Sequence, residues 1–384
     1  MNRSTVEYIE MNHNTVFLNI LKSSLWGTAI AVPQEFDEWG KVFALAKAQS
    51  VLGLVANAVL SDAEVARRIP ADMQKRLKAF VMSNMATHSM LNNTLVRVFS
   101  LLDEAGVRSV LLKGQGLAKN YPVPELRQCG DIDVYVGEEN YAEACGQIDK
   151  IATKILPADV RQTVKHYEVI IGKITVEIHR YTDVNASDHY NAIYQKYSDE
   201  GMSSDLRVLN VAGMNVNTPE DTFNSFYIFN HLWHHFLTSG VGLRQFIDWM
   251  LFIHKHGSMI DQSRLRSILE NMDLMGPWKA FGCVLVDELG LPSSEFPFYD
   301  AEVGRKKTRI LKRVLQEGNF GKERAYYGDR RGESYFIGKF KSLWYHFIRF
   351  VGLYMMFPSH AFRQFVYMAF VGFKAVWKDK FAKK

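Results

Sequence analysis

Residues 107–118, Val-Arg-Ser-Val-Leu-Leu-Lys-Gly-Gln-Gly-Leu-Ala, and residues 131–136, Asp-Ile-Asp-Val-Tyr-Val, decide how this chain is read. The first begins as a β-branched and aliphatic run and stops at Lys113-Gly114, as a buried strand entering a turn does. The second alternates with period two, so it reads as a strand whose Asp131 and Asp133 project from one face. Between them, Gln115 to Tyr121 has the pattern of a short helix closed by Pro122 and Pro124. Downstream, Gly137 to Ala152 has helix-forming composition, and residues 166–171 and 174–179 read as a hairpin about Gly172-Lys173. Thr175, Glu177 and His179 then share an outward face, and a one-residue slip would turn Glu177 to the other side.

Outward from this sheet the pattern is helical. Residues 13–106 carry apolar positions at helical spacing, with few alternating runs. At Thr218-Pro-Glu-Asp a helix is expected to start, with Thr218 as N-cap and Pro219 at the first helical position. Amphipathic stretches at 221–237, 242–256, 262–290 and 303–317 follow, separated by Gly- or Pro-bearing breaks. The expected fold class is α+β, a small mixed sheet flanked by helical regions. The division is 1–105 helical, 106–217 sheet-bearing core, and 218–384 helical with a basic aromatic tail.

With 384 residues, 47% hydrophobic and 23% charged, the chain can bury a sizeable core. Cys129, Cys145 and Cys283 are odd in number and in no CxxC arrangement, which argues against a disulfide framework and for a reducing, cytoplasmic setting. No basic region leads into an uninterrupted apolar run near Met1, so no secretory signal is expected. Charge is asymmetric: residues 301–384 hold 19 Lys and Arg against 6 Asp and Glu, while residues 1–300 hold 27 against 35. Such a tail suits nucleic acid, an anionic membrane surface or simply solvent. Its apolar runs on either side of Pro358 fall short of the roughly 20 residues that span a bilayer, so packing onto the body of the protein is preferred, with peripheral membrane contact as the alternative. Its aromatic residues follow helical core spacing instead of a sheet platform, so nucleic acid ranks below other partners.

Asp131 and Asp133 side by side repel unless a cation lies between them. With Glu177 on a further strand they make three carboxylates, the donor set that holds magnesium beside a phosphate. Gly114, closing a strand and opening a helix, lets backbone N–H groups approach phosphates, and Arg127 offers a guanidinium to the same anion. His231, His234 and His235 fall at i, i+3 and i+4, but lack the acid of an HExxH site, so packing or acceptor contact is preferred over zinc. Arg244 and Asp248 at i, i+4 read most simply as a helix ion pair. The Gly-x-Gly at 114–116 lacks the third glycine of a dinucleotide fold and is set aside.

Taken together, the arrangement resembles the polymerase-β-like nucleotidyltransferase superfamily. More narrowly, Leu112-Lys-Gly-Gln-Gly-Leu-Ala, Arg127-Gln-Cys-Gly-Asp-Ile-Asp-Val and Val176-Glu-Ile-His are similar to the bacterial family called uncharacterised nucleotidyltransferase. The likeness covers mainly 105–180, and more loosely Gly242-Leu-Arg-Gln-Phe-Ile-Asp. It implies transfer of a nucleotidyl group from a nucleoside triphosphate to an acceptor hydroxyl on a small molecule, sugar, protein or peptide. It implies Asp131, Asp133 and Glu177 as catalytic metal ligands for Mg2+ or Mn2+, and Lys113, Gly114, Gln115 and Arg127 as nucleotide contacts. His179, His235, Arg244 and Asp248 are the candidate acceptor-site residues. Gln115 stands where the superfamily has Ser or Gly, and Glu177 where Asp is usual. A non-catalytic nucleotide-binding or interaction protein retaining the fold is the alternative class.

Overall fold

The computed structural model describes residues 12–157, 162–185, 187–203, 205–319, 344 and 347–368. Five helices open it: α1 (His13–Trp26), α2 (Trp39–Ala48), α3 (Leu52–Ser61), α4 (Ala63–Arg68) and the long α5 (Ala71–Glu104). The sheet region follows as β1 (Val110–Leu112), α6 (Gly114–Ala118), β2 (Asp131–Tyr135), α7 (Gly137–Asp149), β3 (Lys154–Ile155), β4 (His166–Ile171) and β5 (Ile174–His179). Then come α8 (Asp188–Ser203), β6 (Arg207–Val211), β7 (Met214–Thr218), α9 (Asp221–Thr238), α10 (Leu243–His256), α11 (Gln262–Asn271), α12 (Met275–Cys283) and α13 (Lys307–Glu317).

Seven strands form one mixed sheet in the order β3-β4-β5-β2-β1-β7-β6, so the fold is α+β. The alternation seen in the sequence sorts its faces. Ile132, Val134, Val169, Val176 and Ile178 point to one side, where Leu91, Leu95, Val98, Phe99 and Leu102 of α5 and Tyr141, Ala144 and Ile148 of α7 cover them. Asp131, Asp133 and Glu177 point to the other. That second face also carries Val110 and Leu112, which pack in an apolar cluster with Val16 and Phe17 of α1 and Phe223 and Phe226 of α9. A single core thus joins the helices before the sheet to those after it.

Several local expectations change. Thr218 ends strand β7 instead of capping a helix; its hydroxyl donates to the Arg207 carbonyl across the β6–β7 hairpin at 3.1 Å. The N-cap is Glu220, whose carboxylate accepts from the backbone N–H groups of Thr222 and Phe223 at 2.8 and 2.9 Å. The amphipathic run 262–290 breaks at Asp273, where φ is +56°, giving α11 and α12. Of the basic aromatic tail, Leu353, Met356 and Phe357 are buried in the main core, while Trp344, Phe347, Ile348 and Met355 are exposed. Residues 369–384 of that tail lie outside the described residues. No helix among the described residues is long and apolar enough to cross a membrane.

Candidate active site

The three acids come together through strand register. β2 runs parallel to β5 with Asp133 opposite Glu177 and Asp131 opposite Thr175, so all three carboxylates occupy the same face of neighbouring strands. β1 ends beside them, antiparallel to β2, with Leu112 opposite Asp133. The chain must therefore turn away at once, and it does so through two residues in the left-handed region, Lys113 at φ +40° and Gly114 at φ +42°. Glycine adopts this freely, whereas for lysine it is strained, and strain of this kind is held by the structure around functional positions. The turn aims the Lys113 ammonium back over the acids, 3.6 Å from Asp133 Oδ2.

A cavity of about 260 Å³ opens over this face. Lys113, Gly114, Arg127, Asp131, Asp133, Glu177, His235, Arg244 and Asp248 all line it. Burial pushes the Asp131 carboxyl up, and the neighbouring Asp133 charge pushes it further. Burial acts the same way on Asp133, but Lys113 and a hydrogen bond from His179 outweigh it and hold that carboxyl below its ordinary value. The ammonium of Lys113, although buried, is kept charged by Asp133, Asp131 and Glu177. Carboxylate oxygens and imidazole nitrogens on one rigid sheet face are donors a dication accepts, and the mutual repulsion of Asp131 and Asp133 is what such an ion relieves.

Two expected nucleotide contacts have protein partners in the structure. Gln115 is buried, and its amide is taken by α5: Nε2 donates to Asn92 Oδ1 and lies 3.3 Å from His88 Nε2. Its side chain serves packing, not the cavity. Arg127 does reach the cavity wall, but its guanidinium makes a two-pronged pair with Asp248, Nε to Oδ1 at 2.7 Å and Nη2 to Oδ2 at 2.8 Å. Asp248 accordingly pairs across the fold, not with Arg244 one turn away. Arg244 Nη1 donates to the Gln128 carbonyl at 3.1 Å instead, with Nε unpartnered among the described residues. His179, expected on the acceptor side, is fully buried beneath the acids, with Nε2 3.0 Å from both Asp133 Oδ1 and Glu177 Oε2.

The structure adds Lys165, His166 and Gln245 to the cavity wall and seats there His231, one of the histidines expected to pack or to contact the acceptor. His166 was within reach of sequence reasoning, because a hairpin turning at 172–173 puts it opposite His179. Lys165 Nζ is 3.8 Å from the buried Asp183, an ion pair without a local signal. His231 on α9 stacks edge-on against His235, with centroids 4.4 Å apart, and both its nitrogens lie 3.5 Å from Lys113 Nζ.

Residues 36–281 match the family described as Uncharacterised nucleotidyltransferase. The chain belongs to that family. The match reaches well beyond 105–180, from just before α2 through most of α12. As a nucleotidyltransferase it is an enzyme that moves a phosphorus-containing group, and members of this class bind nucleotides and generally use divalent metals. No curated protein matches the chain. Among solved structures, the antibiotic-resistance factor ANT(2'')-Ia is similar over 48% of this chain and 92% of its own, at 10% identity and TM-score 0.33. A nucleotidyltransferase-like protein from Paracoccidioides brasiliensis is similar over 58% and 96%, at 12% identity and TM-score 0.31.

The histidines of the nucleotidyltransferase cavity carry a pH signature. Burial lowers His235 to about 3, with His234 and Lys113 adding to the effect, and burial lowers His231 well below its ordinary value of 6.5. Between 6.5 and about 3 the unfolded chain binds protons that the folded chain refuses, so stability falls as pH is lowered through that window. Urea unfolding at pH 7, 6 and 5 is expected to show this decline, with a shallower slope in His235→Gln. Equal slopes in the two proteins would remove His235 as a contributor.

Proposed function

We propose that the protein transfers a nucleotidyl group from a nucleoside triphosphate to an acceptor hydroxyl in a divalent-metal-dependent reaction, with Asp131, Asp133 and Glu177 as the metal ligands. The observation that carries this reading is the convergence of three carboxylates from two adjoining strands on one cavity, with a charged lysine above them. A dication bound there, Mg2+ or Mn2+, neutralises phosphate charge and favours the ionised acceptor. The chain's own groups do the rest. Lys113 and Arg244 face the same cavity as cations for the phosphate oxygens. Glu177 accepts the proton of the acceptor hydroxyl as that oxygen attacks the α-phosphorus, and diphosphate departs as the bond to the β-phosphate breaks. With only five residues, α6 contributes little helix dipole at Gly114, so side-chain cations carry the phosphate contact.

The acceptor class is a small molecule, a sugar or a hydroxyl of a protein or peptide. The test is incubation of the full chain with α-labelled nucleoside triphosphates, a divalent metal and an extract of its own cells, followed by mass spectrometry. A nucleotidylated product that forms only with metal is expected, and its mass names the acceptor. Nucleotide binding by calorimetry that is indifferent to metal, with no product, would instead favour the non-catalytic alternative.

A further inference from the structure

Three carboxylates alone would satisfy magnesium, yet two imidazoles stand among them. His166 of β4 is paired with His179 of β5 across the hairpin, and Glu177, two residues before His179, shares their face. His166 Nδ1 lies 3.2 Å from Glu177 Oε2, and His179 Nε2 lies 3.0 Å from the same oxygen. The donor atoms of His166, Glu177 and His179 all fall within 4.8 Å of one another. Neighbouring ligands of an octahedral ion with bonds of about 2.1 Å stand roughly 3.0 Å apart, so the two nitrogen-to-oxygen spacings fit donors that share one ion. The orientation of His166 is the second observation. Although Nδ1 is this close to a carboxylate oxygen, it makes no hydrogen bond among the described residues. The two atoms stand close without a hydrogen bond between them, an arrangement open to an ion that both could hold.

We infer that His166, Glu177 and His179, with Asp133 sharing the edge, form a nitrogen-bearing cation site that takes a first-row transition dication in preference to Mg2+, the ion replacing the proton through which His179 Nε2 bonds Asp133 in the metal-free protein. The inference rests on the reading of Asp133 and Glu177 as metal ligands and gives that site its ion. Magnesium is hard and keeps to oxygen, while imidazole suits the transition series, whose affinity for a mixed site rises from Mn2+ onward. The site opens to the cavity through His166 and Glu177, so an ion has a path of entry.

The test is Mn2+ binding to the metal-stripped full chain, followed by electron paramagnetic resonance, with Mg2+ as competitor and spin-echo detection of 14N coupling to the bound ion. Wild type is expected to show 14N coupling and to favour Mn2+ strongly. His166→Gln, a half-buried position away from the sheet centre, is expected to weaken Mn2+ binding by at least ~10-fold with Mg2+ binding little changed. A bound Mn2+ without 14N coupling overturns the inference, as does an unchanged Mn2+ to Mg2+ ratio in a folded His166→Gln variant. Should that variant not fold, the 14N coupling of wild type decides alone. Oxygen-only binding that Asp131→Asn abolishes removes this inference and leaves metal-dependent transfer standing. Failure of wild type to bind either ion, even with nucleotide, removes both.

Discussion

Asp131→Asn is expected to lower nucleotidyl transfer by at least ~1000-fold while the protein stays folded. Asparagine keeps the shape and removes one negative charge from the site. In the metal-free protein that charge is a burden, since burial and the nearby Asp133 both push the Asp131 carboxyl toward its neutral form. Its loss therefore leaves stability unchanged or slightly raised. With a dication and phosphates in place the balance reverses, because the carboxylate is then a ligand whose charge-stabilising contribution amounts to several kcal/mol, each ~1.4 kcal/mol being tenfold in rate. Asp133→Asn should lose activity to a similar degree but also lose stability, because Lys113 at 3.6 Å and His179 at 3.0 Å would keep their burial without their carboxylate. Single-turnover assays with labelled nucleotide, paired with urea unfolding, separate the two effects. Activity of Asp131→Asn within tenfold of wild type would sink the metal-ligand assignment.

Strand-borne chemistry was legible in the sequence, and chemistry assembled across the fold was not. A hairpin's register follows from its turn, so Ile171 opposite Ile174 already places His166 opposite His179 on the face that alternation gives to Glu177. The order of strands is a different matter. That β5 joins β2 in parallel, setting Glu177 beside Asp133, depends on the closing of the sheet, to which the sequence offers no local guide. The β6–β7 hairpin escaped because its alternating positions carry polar residues, as in Asn210 and Asn215, which bond each other at 3.0 Å on an exposed surface. Gln115 misled for a related reason: its place in the turn suggested phosphate, while its partners Asn92 and His88 sit on a helix more than twenty residues earlier. Arg244 and Asp248 obeyed helical spacing, yet Asp248 found a better-shaped partner 121 residues away.

That partnership makes the second large prediction. Asp248→Ala is expected to destabilise the fold by ~3–5 kcal/mol, measured by urea unfolding at pH 7. Asp248 receives two guanidinium hydrogen bonds from Arg127 and one from the Tyr121 hydroxyl at 2.7 Å, and the Arg127 and Asp248 side chains are only 3% and 5% exposed. The group ties α10 to the loop that delivers β2, and with it Asp131, to the sheet. Truncation leaves a guanidinium that stays charged and already has Nη1 unpartnered among the described residues. The cost is that of an orphaned buried charge, so removing both partners should cost far less: Arg127→Met with Asp248→Leu is expected to recover most of the loss. The sign with pH follows from burial being outweighed by Arg127, which holds Asp248 below its ordinary value of 3.8. The pair's contribution is then full above 3.8 and fades only as pH falls below it, so the gap between wild type and Asp248→Ala should be constant from pH 7 to 5. A gap under ~1 kcal/mol, or a double variant no better than the single one, would show that the pair does not hold α10 to the sheet.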